Sequence, residues 1–326
     1  MTAQDLNKRP APILIRLPNW IGDVCMCLPA LDLLAQAGVP VVVCARGWAK
    51  DLLTGLKTEG FIEMTDSIRA NVRALRQWRR EHPSHQLGLL MPDSLSSALT
   101  FKLAGIQSAG WRDDGRSLLL KWAFHKPTEP MHAVEAWFEL TQRALSSWGF
   151  DTRSISLPST LQLTITNEHK QSASAALREA GLKAGQFVLI APTATGQHRG
   201  QKKVWPHFDA LARVLQNNRV NVAMCPPANE QAAANRAAPT VDLIRPLNLG
   251  AFCALTRMAS LVICNDSGVA HLCAAAGVRQ LTLFGVTDAN KTGPWNPESC
   301  NMGQNGAWPS AGEVVTRVQL LLTSKT

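Results

Sequence analysis

Apolar positions recur along this chain in strand-length runs, each followed by a longer stretch with helical spacing. Ile13 to Leu17 is the first run, PNWIGD follows it, and Val24 to Leu34 then repeats apolar residues at helical intervals up to Gly38. This predicts strand, loop, helix. A second β-branched run, Val39 to Ala45, contains Pro40 and closes at Gly47, and the alternation continues through Leu87 to Met91. Apolar runs that alternate with helices imply a parallel sheet covered by helices on its faces.

The rhythm breaks at SLPSTLQLTITNEH, between about Leu157 and Thr166, which is polar, β-leaning and carries a proline. Such a segment suits a connection between domains, and the boundary placed there gives domains 1–158 and 159–326. Beyond it the same grammar restarts. Phe187 to Ala191 reads as a strand, Pro206 to Leu215 as a helix and Val220 to Cys225 as a strand; Leu261 to Cys264 and Leu281 to Phe284 are further strands. Between the last two lies a helix, Ser267 to Ala276, closed by Gly277. Gly312 to Leu322 has the spacing of a final amphipathic helix, free to pack back on the first domain. The fold class expected is α/β, with two similar halves.

Composition narrows the function. With 46% apolar and 17% charged residues the chain is neither disordered nor collagen-like. Uncharged apolar stretches such as Ala259 to Cys264 and Leu281 to Val286 fall far short of the ~20 residues that span a bilayer. The first twelve residues are polar and Arg16 and Pro18 interrupt the run behind them, so no signal-peptide core can be drawn and a cytoplasmic location is expected. None of the eight cysteines forms a C-x-x-C, and Cys25 and Cys27 have no histidine at ligand spacing. They are expected to pack as small hydrophobes, with no metal site.

Four segments carry candidate chemistry. PNWIGDV follows the first strand, where open α/β sheets bind ligands, and Asp23 is its only acid. That carboxylate suits a general base or an N-cap, with Asn19 and Trp20 beside it as candidate substrate contacts. The loop lacks G-x-G-x-x-G, so that dinucleotide fingerprint is absent. NDSGVAH, residues 265–271, runs from a buried strand into an Ala-rich helix, so free amides at Ser267 and Gly268 could receive a phosphate or the serine could simply cap the helix. TATGQHRGQKKVWP, residues 193–206, brings Arg199, Lys202 and Lys203 to a flexible loop before a Trp-Pro helix start. These cations suit a diphosphate or a solvated loop; removal of one exposed loop cation should leave the fold intact.

The fourth segment is basic. Arg69, Arg73, Arg76 and Arg80 are spaced four, three and four apart, which places them on one face of a helix that also carries Trp78 and Arg79. Their mutual repulsion suits a bound polyanion or phosphorylated ligand, and a solvated face is the alternative. Arg112 and Arg116 in GWRDDGR can add to the same patch. A formal charge of +9 and ten tryptophans would also suit nucleic acid, but no RRM, KH, helix-turn-helix or zinc pattern accompanies them.

Taken in order, ILIRLPNWIGDVCMCLPALDLL, MPDSLSSALTFKLAGIQSAGWR, KKVWPHF, NDSGVAHLCAAAG and LTLFGVTDANKTGPW resemble the hallmarks of bacterial glycosyltransferase family 9, which contains the lipopolysaccharide core heptosyltransferases. The W-I-G-D form is similar to the heptosyltransferase II type. The resemblance implies a GT-B fold: two Rossmann-like domains facing across a cleft, with acceptor on the N-terminal half and nucleotide sugar on the C-terminal half. It implies inverting transfer of a heptosyl group from ADP-heptose, as donor substrate with no cofactor or metal, to a hydroxyl of the lipid A-anchored core oligosaccharide. By the same resemblance Asp23 is the base and Lys203 of K-x-W-P stabilises the departing ADP. Thr193, Thr195, Asp266, Ser267, Gly268 and His271 surround the donor, and Glu230 meets its ribose. The acceptor falls to Asn19, Trp20, Arg69, Arg73, Arg76, Arg80 and Arg112. Peripheral association with the cytoplasmic face of the inner membrane is implied, and no nucleic-acid partner. A catalytically silent nucleotide-sugar binder is the remaining rival, against which Asp23 and Lys203 argue.

Overall fold

The computed structural model describes residues 10–113, 115–198, 200–304 and 306–324. They form two compact units. One holds the chain up to Lys50 and Leu56–Pro158; the other holds Asp51–Gly55 and the chain from Ser159 onward.

In the first unit, β1 (Ile13–Arg16), α1 (Ile21–Met26), α2 (Leu28–Gln36), β2 (Val41–Ala45) and α3 (Ala49–Leu52) are followed by β3 (Gly60–Glu63), α4 (Ile68–Glu81), β4 (Leu87–Leu90) and α5 (Leu95–Leu103). The chain then adds β5 (Gln107–Trp111), β6 (Trp122–Phe124) and α6 (Ala133–Ser147). The sheet order is β3-β2-β1-β4-β5-β6, all parallel. β1 and β2 are buried along their whole length, as strands covered on both faces must be. Leu14, Val42, Leu75, Leu90 and Phe101 pack into one core between this sheet and helices α4 and α5.

The helix expected over Val24 to Leu34 is two helices. The break falls at Cys27, and Pro29, which has no N–H to give, sits at the start of α2 where none is needed. β3, β5 and β6 escape a hydrophobic-run reading because each is short or glycine-bearing.

The second unit repeats the design. After α7 (Asn167–Glu179) come β7 (Phe187–Ala191), a two-residue antiparallel ribbon of β8 (Gln197–His198) and β9 (Gln201–Lys202), α8 (Phe208–Asn217), β10 (Asn221–Met224) and α9 (Gln231–Ala237). Then follow β11 (Asp242–Leu243), α10 (Leu249–Thr256), β12 (Leu261–Asn265), α11 (Gly268–Ala276), β13 (Gln280–Leu283), α12 (Ala289–Thr292), β14 (Ser299–Met302) and α13 (Ala311–Thr323). The order β11-β10-β7-β12-β13-β14 is again wholly parallel, and reverses beside β7 as the first sheet reverses beside β1. Ligands of open α/β sheets bind at the carboxyl ends of strands at such reversals. The final helix contributes Val314 and Val318 to the core of its own unit, beside Phe208 and Leu211.

The β-leaning segment after Ser159 is not a strand. Its alternating Leu161, Leu163 and Ile165 are buried, and Leu163 donates its N–H to the Ala275 carbonyl, which ties the segment to the second unit. Asp51–Gly55, which the boundary at residue 158 had put in the first domain, also belongs there. The Asp51 carboxylate accepts from the Gly250 N–H at 2.9 Å and meets His169 Nε2 at 3.2 Å.

Candidate functional site

The sheet of the first unit presents the PNWIGDV loop at the carboxyl end of β1. Arg16, the last residue of that strand, is buried, and its guanidinium donates to the Leu17 carbonyl and to Asn19 Oδ1 at 2.5 Å. Burial lowers its pKa to about 10, with Cys44 opposing and Arg46 reinforcing the shift. Asn19 therefore braces the loop. Trp20 is 69% exposed and occupies the N-cap of α1 without a side-chain cap. Asp23 is the third residue of that helix rather than its cap, half-buried in the first turn, where the helix dipole favours its negative charge. The Cys27 thiol is pushed well up by burial first, then by the carboxylate of Asp23 and by Cys25.

Neighbouring strand ends add residues that no motif had singled out. Asp93, Trp111, Lys126 and Trp137 line a cavity of about 380 Å³. Lys126 Nζ bridges Asp93 at 2.6 Å and Asp113 at 2.5 Å, and Trp137 donates to the Met91 carbonyl at 3.1 Å. Asp93 and Trp111 stand in the quoted MPDSLSSALTFKLAGIQSAGWR segment, whereas Lys126 and Trp137 are marked only by their position after β6 and near the start of α6. Arg112 lies at this same edge, exposed, with Nη1 3.1 Å from His125 Nε2.

Arg116 corrects the expectation that it joins a surface patch. It is fully buried, donating Nε to the Trp111 carbonyl at 2.8 Å and lying 3.7 Å from Asp93, so it braces the loops instead. The Arg69, Arg73, Arg76 and Arg80 stripe does share one face of α4, as the spacing required. Topology separates most of it from Asp23. α4 leaves the carboxyl end of β3 and returns to the amino end of β4, so Arg69 is at the reacting edge while Arg76 and Arg80 approach the opposite one. Arg76 donates Nε and Nη2 to the Leu103 carbonyl, and Arg79 donates to the Ala104 carbonyl at 2.7 Å. Both satisfy carbonyls that the end of α5 leaves without helical partners.

In the second unit several of the expected donor residues pair with one another. Asp266 follows β12, is 3% exposed, and accepts from Lys203 Nζ at 2.7 Å and from Thr287 Oγ1 at 2.5 Å. Asn265 Oδ1 accepts the Trp205 N–H at 2.8 Å, which fixes the loop two residues past Lys203. Ser267 caps α11, its hydroxyl accepting from the Val269 N–H at 3.3 Å, and Gly277 closes the helix at φ 67°. The capping alternative is therefore realised, and it leaves the site open as well. The amides of Ser267 and Gly268 precede the first helical hydrogen bond, so no carbonyl of the helix reaches them.

Thr193, beyond the end of β7, donates its hydroxyl to the Glu230 carboxylate beyond β10. Glu230, whose surroundings align loosely with the motif, is thus brought to the same edge. Thr195 is exposed further along the loop, and His271 is buried on α11. Arg199 lies outside the described residues. Thr287 and Asn265 are the functional side chains that motif reading missed; both stand in quoted segments, but nothing local marked them as partners of Asp266 and of the Lys203 loop.

Chemically, the arrangement is a cation fixed beside open amides at a helix N-terminus, with hydroxyl and carboxylate groups on the adjoining loop. It can hold a diphosphate and a polyhydroxyl ring.

Known proteins share this architecture. The lipooligosaccharide heptosyltransferase 2 of Haemophilus influenzae is 25% identical over 301 residues, 86% of this chain and 85% of its own. The solved structure of Escherichia coli ADP-heptose lps heptosyltransferase II matches with a TM-score of 0.74 at 22% identity, covering 95% of this chain and 98% of that one. A family 9 glycosyltransferase from Veillonella parvula matches at 0.80 and 14%, covering 96% and 97%. The structural likenesses show the fold, which is GT-B. A model of the family described as glycosyltransferase family 9 (heptosyltransferase) matches residues 73–317. That match takes in most of the chain, including the Lys203, Asp266 and Thr287 cluster, and the chain therefore belongs to glycosyltransferase family 9 and is a glycosyltransferase.

Proposed function

We propose that the enzyme transfers a heptosyl residue from ADP-heptose to a hydroxyl of the lipid A-anchored core oligosaccharide of lipopolysaccharide, with inversion at the anomeric carbon. The observation that carries this reading is the Lys203–Asp266–Thr287 cluster at the start of α11. The likeness to a lipooligosaccharide heptosyltransferase of Haemophilus influenzae and to the ADP-heptose lps heptosyltransferase II of Escherichia coli supports the sugar, the nucleotide and the acceptor.

Departure of ADP leaves negative charge on a β-phosphate oxygen, and preorganised donors at that oxygen lower the barrier most. A lysine ammonium has three N–H donors. Lys203 spends one on Asp266 and keeps the others for phosphate, alongside the amides of Ser267 and Gly268. Asp266 itself faces a dianion poorly, so its part is positioning: it aims Lys203 and Thr287. Glu230 accepts hydroxyls of the ribose, exchanging the Thr193 hydroxyl it holds in the free enzyme. Asp23 takes the proton of the attacking hydroxyl as general base. The cavity of Trp111, Trp137, Asp93 and Lys126 has the aromatic walls and polar groups that hold a sugar ring, and Asn19, Trp20 and Arg112 border the same edge. Among the described residues no helix is long and apolar enough to cross a membrane. Peripheral action at the cytoplasmic face of the inner membrane accords with a lipid-anchored acceptor.

The test is incubation with ADP-heptose and defined truncated core acceptors, read by mass spectrometry. Addition of one heptose with release of ADP is the expected result. Transfer from a different nucleotide sugar and none from ADP-heptose would overturn the donor assignment.

A further inference from the structure

The face of α4 holds a groove of about 900 Å³ that runs from the reacting edge of the sheet toward the opposite one. Five guanidiniums line it, those of Arg69, Arg73, Arg76, Arg79 and Arg80, and among the described residues no carboxylate does. From Arg69 to Arg80 the helix rises by about 16 Å at 1.5 Å per residue. The floor is apolar, formed by Val72 and by Leu103, a leucine left 46% exposed. The two inner arginines are tethered by the carbonyls of Leu103 and Ala104, which holds their forks beside the apolar rim.

We propose that this groove is the surface by which the enzyme docks on an anionic phospholipid bilayer, the guanidiniums taking lipid phosphates and Leu103 entering the headgroup layer. Charge complementarity selects the occupant: a linear array of cations without a counter-carboxylate fits a field of phosphates, and arginine binds phosphate through its planar fork. Topology puts only the Arg69 end of the groove at the reacting edge; the Arg76 and Arg80 end lies toward the edge of the sheet opposite Asp23, away from the reacting sugar. The inference rests on the proposed function in one respect, that a lipid-anchored acceptor gives the enzyme a reason to dock; the binding itself needs neither donor nor acceptor.

The experiment is co-sedimentation of the full-length enzyme with phosphatidylglycerol-containing vesicles and with pure phosphatidylcholine vesicles. The comparison variant carries Arg69→Gln, Arg73→Gln and Arg80→Gln and keeps the two arginines that hold the end of α5. Each basic residue near an anionic surface contributes about a fivefold gain in partitioning, so the triple variant should bind phosphatidylglycerol vesicles about a hundredfold more weakly. A variant with lysine at the same three positions should retain most of the binding. Turnover of a soluble truncated acceptor without vesicles should match the wild type in a variant carrying Arg80→Gln alone, because Arg69 stands at the reacting edge and Arg80 toward the opposite one. Equal vesicle binding by wild type and triple variant, or none by the wild type, overturns the proposal. A raised KM for the soluble acceptor in the Arg80→Gln variant also overturns it, since that end of the groove would then serve the acceptor. Failure of ADP-heptose as donor, with vesicle binding lost in the triple variant, would leave this inference standing and remove only the donor reading.

Discussion

Replacing Lys203 by alanine strips the buried Asp266 carboxylate of its counter-ion, and the expected cost follows from the environment of the two groups. Asp266 has a side-chain exposure of 4% and Lys203 of 20%. Removing one partner of a fully buried pair costs about 3–5 kcal/mol, because the remaining charge is left desolvated. A solvent-exposed pair is worth only about 0–1 kcal/mol. Lys203 stands between these limits, the Thr287 hydroxyl still donates to Asp266, and water can enter where the ammonium was. A loss of about 2 kcal/mol is therefore expected, against the negligible loss that a solvated loop cation implies. Asp266→Asn provides the control: with the charge gone, adding Lys203→Ala should cost little more, so the pair should couple by about 1 to 2 kcal/mol. Urea unfolding of the wild type, both single variants and the double variant, with m-values compared, measures all of this. A Lys203→Ala loss below about 0.5 kcal/mol together with no coupling would refute the pairing.

Three further outcomes are expected. Asp23→Asn should keep ADP affinity by calorimetry while turnover falls by about 10² to 10⁴, the contribution of a general base; near-normal turnover removes Asp23 from that role. Gly250→Ala would put a Cβ 2.1 Å from the buried His169 ring, and a loss of about 1–3 kcal/mol or more is expected in the urea midpoint, with an unchanged midpoint counting against the packing described. His85 accepts the Trp78 indole N–H on Nδ1 at 3.0 Å, and burial first, then His82, holds its pKa below the usual 6.5, with Glu59 opposing. Because the folded value lies below the unfolded one, the stability it protects is full above pH 6.5 and declines as pH falls from there toward the lower folded value. The urea midpoint should drop in that window, and His85→Gln should flatten the drop; an identical slope in the variant sinks the assignment.

The cysteines illustrate how far composition reaches. Seven of the eight are buried, and burial pushes the thiols of Cys44, Cys225 and Cys253 up to about 12. Thiols so placed are protonated and inert at neutral pH. Their lack of ligand spacing and their apolar neighbours had already pointed to packing.

What the sequence determined by itself is what local pattern encodes. Continuous apolar runs marked β1, β2, β7 and β12, because a strand covered on both faces has no polar side to alternate with. Gly277 marked the end of α11, since a left-handed closing residue favours glycine. Asp23, Lys203, Asp266 and Ser267 were legible because their residue types sit in motifs at strand-to-helix junctions. Tertiary structure decided the partnerships. Lys203 meets Asp266 across 63 positions, Thr193 meets Glu230 across 37, and Asp51 meets His169 across 118. It also buried Arg116, turned Arg76 and Arg79 onto the end of α5, and took Asp51–Gly55 into the second unit. Periodicity fixes which face of an element is buried; which distant charge or carbonyl that face encounters is set by strand order, and strand order is a property of the assembled sheet.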